Sequence, residues 1–395
     1  MRALAALASA TALLLSCAAP ASADPDWSFA QESEPPRAEP ATGGYAPGQR
    51  ALPGPARVVA ERRIDARTLD LLVSSPAVGK LTPVRLLLPR GWSRTAGRTW
   101  PVLYLLHGGA DDYTSWTRMT DVATYTANLD AIVVMPEAGR AGNYSDWHNA
   151  GRGGPPKWAT FHTSEVRRLL ESGYRAGTRR AVAGLSMGAY GAIKYAAANP
   201  GMFRFAGAYS GIMATRLPGI PAVIMNAQAS EKQDPLALWG DPKRDAKVWA
   251  ANDPLALAAG LRGTSLYVSS GSTSLNGPLD LPGAAWNPAH LGEPISAYTA
   301  RALSGRLKKL GIRHTLHLYG DGTHTWPYWT REFKRSYPMI VRALGCGADD
   351  AGRRTPCPRP AASSAYGTSN VLRPPAPITS IPWVPRMPSS GSDTE

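Results

Sequence analysis

The chain of 395 residues carries a formal net charge of +14, with 44% hydrophobic and 18% charged residues. That is enough apolar material for a sizeable core and too little charge for a mainly disordered chain. Its 43 lysines and arginines are scattered and accompany no nucleic-acid motif, so the basic balance points to a solvated surface or a polyanionic cell wall and away from nucleic acid.

Residues 1–23 read as a secretory signal peptide. Arg2 supplies the positive start, Ala3 to Leu15 form an apolar run too short to span a bilayer comfortably, and Ala21-Ser22-Ala23 offer a small-x-small cleavage site. Leu14-Leu15-Ser16-Cys17 is a competing lipoprotein box, but a leucine just before Ser16 fits it poorly. A secreted or envelope-associated protein is therefore expected. Cleavage leaves Cys346 and Cys357, which an exported protein is expected to pair. No Cys/His spacing suggests zinc, no cofactor is expected, and no later apolar run is long enough for a transmembrane helix.

Residues 24–56 are rich in Pro, Ala, Gly and Glu without apolar period and read as a flexible arm. Alternation predicts a hairpin of strands over Val58–Asp65 and Thr68–Ser74, then a strand over Val84–Leu88. Trp100 to Leu106 is a continuous apolar run, a buried strand that leads into His107-Gly108-Gly109, and Ala131–Met135 is a second such strand. Ser164 reads as the N-cap of a helix to Glu171. Further strands are predicted at Ala181–Ala183, Phe205–Tyr209, Ser265–Ser269 and Arg313–Tyr319. Helices follow over the alanine-rich stretch before Asn199-Pro200, within a cap-like insertion over Gly219–Leu261, and over Ile295–Leu310 and Trp329–Leu344. Strands alternating with helices predict an α/β fold, a mainly parallel central sheet with helices on both faces, spanning residues 57–345. Residues 346–395 form a Pro/Ser-rich tail expected to be disordered.

The chemistry centres on Gly184-Leu185-Ser186-Met187-Gly188, a G-x-S-x-G pattern between a strand and a helix. Such a nucleophile elbow holds its serine in a strained turn, and a Cβ at either glycine would collide across the gap between strand and helix. A serine hydroxyl needs a base, and the base needs a carboxylate. In this fold the chain order is Ser, acid, His. Of the histidines after Ser186, His290 sits in a Pro-rich loop, and His314 and His317 fall in the last strand. His324 stands in the loop just beyond that strand, where the base belongs. Asp280 is the first carboxylate after the strand Ser265–Ser269 and is the favoured acid, with Glu293 the alternative. The amides of Gly109 and Met187 are the expected oxyanion donors.

The motifs Tyr104-Leu105-Leu106-His107-Gly108, Tyr144-Ser145-Asp146-Trp147, Gly184-Leu185-Ser186-Met187 and Gly322-Thr323-His324-Thr325-Trp326-Pro327 resemble, in order, the secreted esterase/mycolyltransferase family often called antigen eighty-five. The resemblance runs from about Val58 to Leu344 and implies an α/β-hydrolase that moves an acyl chain through a serine ester. It matches Ser186 and His324 to the family's nucleophile and base, and Gly109 and Met187 to its oxyanion donors. The family's acid is a glutamate in a loop that has drifted here, so Asp280 or Glu293 must stand in. His107 and Trp326 fall at substrate-binding positions, Trp326 beside the sugar site. The family has an aspartate at His107 and an arginine shortly after, both holding trehalose; neither is present here, which leaves the acceptor open. The leading reading is a secreted serine esterase or acyltransferase acting on lipid or glycolipid esters of the cell envelope. The alternatives are a non-catalytic envelope- or matrix-binding protein and a polysaccharide acetyl or feruloyl esterase.

Overall fold

A computed structural model describes residues 52–283, 285–286 and 289–345. The signal peptide, most of the arm, the pair Cys346 and Cys357, and the tail lie outside the described residues.

Nine strands form one sheet: β1 (Arg57–Arg63), β2 (Thr68–Ser75), β3 (Lys80–Leu87), β4 (Trp100–Leu106), β5 (Ile132–Pro136), β6 (Ala176–Leu185), β7 (Phe205–Tyr209), β8 (Ser265–Ser270) and β9 (Thr315–Leu318). Their order is β1-β2-β3-β5-β4-β6-β7-β8-β9. The pairings β1–β2, β2–β3 and β3–β5 are antiparallel, and every pairing from β5 through β4 to β9 is parallel. Among the described residues the helices are α1 (Ser115–Met119), α2 (Val122–Tyr125), α3 (Trp158–Thr160), α4 (Arg167–Gly173), α5 (Met187–Ala198), α6 (Ile220–Ser230), α7 (Ala246–Ala251), α8 (Ala289–Lys309) and α9 (Trp326–Ala343), with short 3₁₀ and π turns between.

The period of two along β4 divides the core. Val102, Tyr104 and Leu106 face one cluster, which includes Ile193 of α5 and Leu303 and Leu307 of α8. Leu103 and Leu105 face the other, with Trp116 of α1 and Phe333 and Tyr337 of α9. Both faces are covered, which is why β4, β5 and β7 read as unbroken apolar runs. The antiparallel edge carries a buried charge instead: Asp70 on β2 lies opposite Arg85 on β3, which donates to both of its oxygens at 2.7 and 2.8 Å.

Two expected boundaries move. Ser164 caps nothing: the helical stretch begins at Trp158, and residues Phe161–Val166 form a π turn between α3 and α4. The start is held from elsewhere, by Asp146, whose carboxylate accepts from Thr160 N (3.0 Å) and Thr160 Oγ1 (2.6 Å). Likewise α8 starts at Ala289, six residues before Ile295, so Glu293 and Pro294 lie inside the helix rather than at its start. Proline reads locally as a start signal, but packing overrides that signal here.

Candidate active site

The segments that follow β4, β5, β6, β7 and β9 converge on one cleft at the carboxyl ends of the parallel strands, as ligand sites in parallel sheets do. At the end of β6, Ser186 takes φ 51° and ψ −118°, a left-handed strained backbone for a residue with a Cβ. The turn is fixed on both sides. Ser186 N donates to Tyr209 O of β7 (2.9 Å). A Cβ at Gly184 would run into the Gly188 carbonyl, and one at Gly188 would come 2.6 Å from His107 O. The two glycines thus let β6, α5 and the loop after β4 close up around the serine.

Ser186 Oγ lies 2.8 Å from His324 Nε2, and His324 Nδ1 lies 2.8 Å from Glu293 Oε1. A carboxylate only accepts, so Nδ1 carries the proton and Nε2 is free to accept from the serine. The imidazole is gripped on its faces as well: a Cβ at Gly292 would come 2.7 Å from its Cγ, and the Trp329 ring meets it edge-on at 4.9 Å. Glu293 is wholly buried (0% exposed), and a buried carboxylate needs donors. Its Oε2 has them: Ser210 Oγ (2.9 Å), Tyr319 OH (3.0 Å), Ser270 Oγ (3.2 Å) and the amide of Gly271. Burial and the neighbouring Glu293 charge push the Tyr319 phenol far above its usual value, so it stays a donor.

Asp280, the favoured acid from sequence, is not the partner of His324. Its carboxylate accepts from Thr323 Oγ1, from Tyr328 OH (2.8 Å) and from Gly277 N (2.8 Å). The chain after β8 turns back over the loop after β9, which carries Asp280 to the residue before the histidine, while α8 brings Glu293 to the ring itself. His107 is corrected too. It is 1% exposed, accepts from Ala138 N at Nε2 (2.9 Å) and lies 2.7 Å from Gly108 O at Nδ1. Its ring braces two loops and does not line the cleft, so it is not placed to touch a substrate.

Gly109, Met187 and Trp326 do line the cleft. The loop bearing Gly109 presses on the nucleophile: a Cβ at Gly108 would come 3.6 Å from Ser186 Cβ. Trp326, the first residue of α9, stands edge-on to Trp116 and Trp329, both at 5.5 Å. The cleft holds about 1210 Å³ counted to its open mouth. Away from Ser186 its wall is apolar, with Ile212, Val223, Ile224, Ala227 and Ile295. At the rim stand Asp111 and Arg140. Asp111 pairs with Arg118, and burial holds its carboxyl above the usual range; Arg140 donates to Glu231 (2.6 Å) and to Ala110 O (2.8 Å).

Sequence reasoning missed Ser210 and Tyr319, which donate to Glu293 Oε2. Both sit at carboxyl ends of parallel strands, and that position was the available signal. It also missed the apolar wall, to which the insertion brings Val223, Ile224 and Ala227, the chain after β7 Ile212 and α8 Ile295, and which carries no motif. Among the described residues no group of three or more His, Cys, Asp or Glu could hold a metal ion, and no helix is long and apolar enough to cross a membrane.

The Esterase family model matches residues 75–340. An esterase of Mycobacterium tuberculosis is 34% identical over 272 residues, covering 66% of this chain and 56% of that protein, so the chain spans about half of its length. The diacylglycerol acyltransferase/mycolyltransferase Ag85A of the same organism is 31% identical over 287 residues, covering 70% of this chain and 81% of the relative. Among solved structures, MPT51 (FbpC1) of Mycobacterium tuberculosis aligns over 69% of this chain and 97% of its own, at 24% identity and a TM-score of 0.57. A fluorophosphonate-binding serine hydrolase of Staphylococcus aureus aligns over 73% and 99%, at 19% identity and a TM-score of 0.53, a likeness of fold. With the strained serine at the end of β6 and the family match across two thirds of its length, the chain belongs to the Esterase family of α/β-hydrolases.

Proposed function

We propose that this protein is a secreted serine esterase or acyltransferase that works through an acyl-enzyme on Ser186 and takes long-chain acyl esters of lipid or glycolipid. One observation carries the reading: the unbroken line of hydrogen bonds from Ser186 through His324 to the buried Glu293, with 2.8 Å at each link.

Ser186 Oγ attacks the acyl carbonyl carbon as its proton passes to His324 Nε2. Glu293 stabilises the imidazolium that forms, and its own charge is held by the four donors on Oε2. The amides of Gly109 and Met187 receive the oxyanion, the second at the N-terminus of the twelve-residue α5, whose dipole favours negative charge there. The tetrahedral intermediate collapses, His324 returns the proton to the departing alkoxide, and the ester remains on Ser186. Water or an acceptor hydroxyl then enters by the same route in reverse. The acyl chain lies along Ile212, Val223, Ile224 and Ile295, and the acceptor reaches the ester past Trp326 and the Asp111 rim. The apolar wall supports a long chain over an acetyl or feruloyl group.

The test is turnover of p-nitrophenyl esters from two to sixteen carbons, with Ser186→Ala beside the wild type, followed by mass spectrometry of the protein after incubation with total envelope lipids. The proposal expects an adduct on the Ser186 peptide whose mass names the acyl group. Equal turnover by both proteins would remove the reading.

A further inference from the structure

The loop that presents His324 contains Gly320 at φ 78° and Gly322 at φ 148°, backbone that glycine adopts freely and that holds no conformation by itself. What holds it is the chain after β8, which lies along it. Ser272 N donates to Gly320 O (2.7 Å), Gly322 N to Leu275 O (3.0 Å), and Thr273 Oγ1 to Asp321 Oδ1 (2.6 Å). Gly277 packs so closely that a Cβ there would run into the Asp321 carbonyl and come 2.6 Å from Tyr328 OH. The two loops meet at Asp280. One carboxylate gathers donors from three places: Gly277 N in its own loop, Tyr328 OH on α9, and Thr323 Oγ1, one residue before the base. Tyr328 OH in turn accepts from Leu279 N (3.1 Å). Thr323 is buried, so its hydroxyl has little access to water as a substitute partner.

We propose that Asp280 is a positioning residue: by holding Thr323 it keeps the His324 loop in the one arrangement that brings Nε2 to Ser186 while Nδ1 stays on Glu293. The inference rests on the serine-esterase reading above. Proximity is steep in its effect. A displacement of about 1 Å at a reacting group costs on the order of 100-fold, and Glu293 alone anchors only the ring, at the end of a side chain whose backbone the clamp fixes. Asp280 touches no reacting atom, so it acts on the rate of acylation and not on the charge of the imidazole.

Asp280→Ala, Thr323→Val and their combination test this. Each protein is titrated with a fluorophosphonate so that rates are counted per active serine, and each is followed on a soluble short-chain p-nitrophenyl ester across pH. Asp280→Ala is expected to lower kcat about 10- to 100-fold with KM within twofold and the acid limb of the pH profile unmoved. Thr323→Val, nearly isosteric and the safer folder, is expected to show the same loss, and the double variant no more than either single one. Thr323→Ser and Asp280→Asn keep an oxygen on each side of the contact and are expected to recover most of the rate. Single variants within twofold of wild type per titrated site, or losses that multiply in the double variant, overturn the proposal. A loss near 10⁴-fold in Asp280→Asn with a shifted acid limb overturns it differently, by making Asp280 the triad acid. Failure of the wild type to be labelled at Ser186 sinks the esterase reading instead.

Discussion

Glu293→Gln tests the site most sharply, because the amide keeps the shape of the carboxylate and changes only where protons go. Four donors converge on Oε2: Ser210 Oγ at 2.9 Å, Tyr319 OH at 3.0 Å, Ser270 Oγ at 3.2 Å and the Gly271 amide. The glutamine carbonyl must take that place, since turning the NH₂ group toward them would oppose donor to donor at about 1–3 kcal/mol for each lost bond. The NH₂ group then faces His324 Nδ1 across the 2.8 Å now spanned to Oε1. That nitrogen becomes an acceptor, the ring proton moves to Nε2, and Nε2 points it at Ser186 Oγ 2.8 Å away. An imidazole in that tautomer cannot take the serine proton. Wrong-tautomer substitutions in serine triads cost about 10⁴ in kcat, ~5.5 kcal/mol of transition-state stabilisation. The acylation burst with a p-nitrophenyl ester, counted per folded protein by near-ultraviolet circular dichroism, measures it. A loss under tenfold would refute the reasoning, because the carboxylate would then be dispensable to the tautomer.

Three further outcomes follow from the same contacts. Gly188→Ala places a Cβ 2.6 Å from His107 O; a destabilisation of about 1–3 kcal/mol is expected, read as a lowered Tm, together with a fall in rate per titrated serine, and an unchanged Tm would mean the elbow has room to spare. Val223→Phe fills part of the apolar wall, so kcat/KM is expected to fall tenfold or more for esters of twelve carbons while two-carbon esters stay within about twofold; a uniform loss would place the acyl chain elsewhere. His162 is buried between Tyr195 OH (2.7 Å) and Glu137 O (2.8 Å), and burial lowers its pKa from 6.5 to about 3. Below pH 6.5 the unfolded chain binds the proton and the fold does not until about pH 3, so this stability is complete above 6.5 and is lost as pH falls toward 3. Between pH 6.5 and 4.5 that is about 2 kcal/mol, which urea midpoints should show in the wild type and not in His162→Gln; parallel curves would mean the ring is charged in the fold.

The sequence made the sheet legible because β4 and β7 are buried on both faces, leaving unbroken apolar runs whose ends could be read to the residue. The elbow was legible because its pattern is short and contiguous: the steric demand at Gly184 comes from Gly188 four residues on, although that at Gly188 comes from His107 O in the loop after β4. His324 followed from its place just past the last strand. Ser164 was misread because the cap that starts its helix comes from Asp146, and nothing near Thr160 announces it.

The carboxylate partner of His324 differs from the expected one for a related reason that carries further. Nearness along the chain favours Asp280, the first carboxylate after β8, and leaves Glu293 second. Yet a carboxylate at 0% exposure stays charged only where donors surround it. Such donors are themselves written at strand ends. Ser210-Gly211 closes β7 and Ser270-Gly271 closes β8, and from these pairs come Ser210 Oγ, Ser270 Oγ and Gly271 N, three of the four groups on Oε2. Two neighbouring parallel strands that both end in Ser-Gly beside a nucleophile strand describe a nest for an anion before any carboxylate is assigned to it. The question to put to the sequence was therefore which acid those two ends could receive. Asp280 lies in a loop that folds away over residues 320–323, whereas the first turns of α8 pack against β8 and carry Glu293 into the nest.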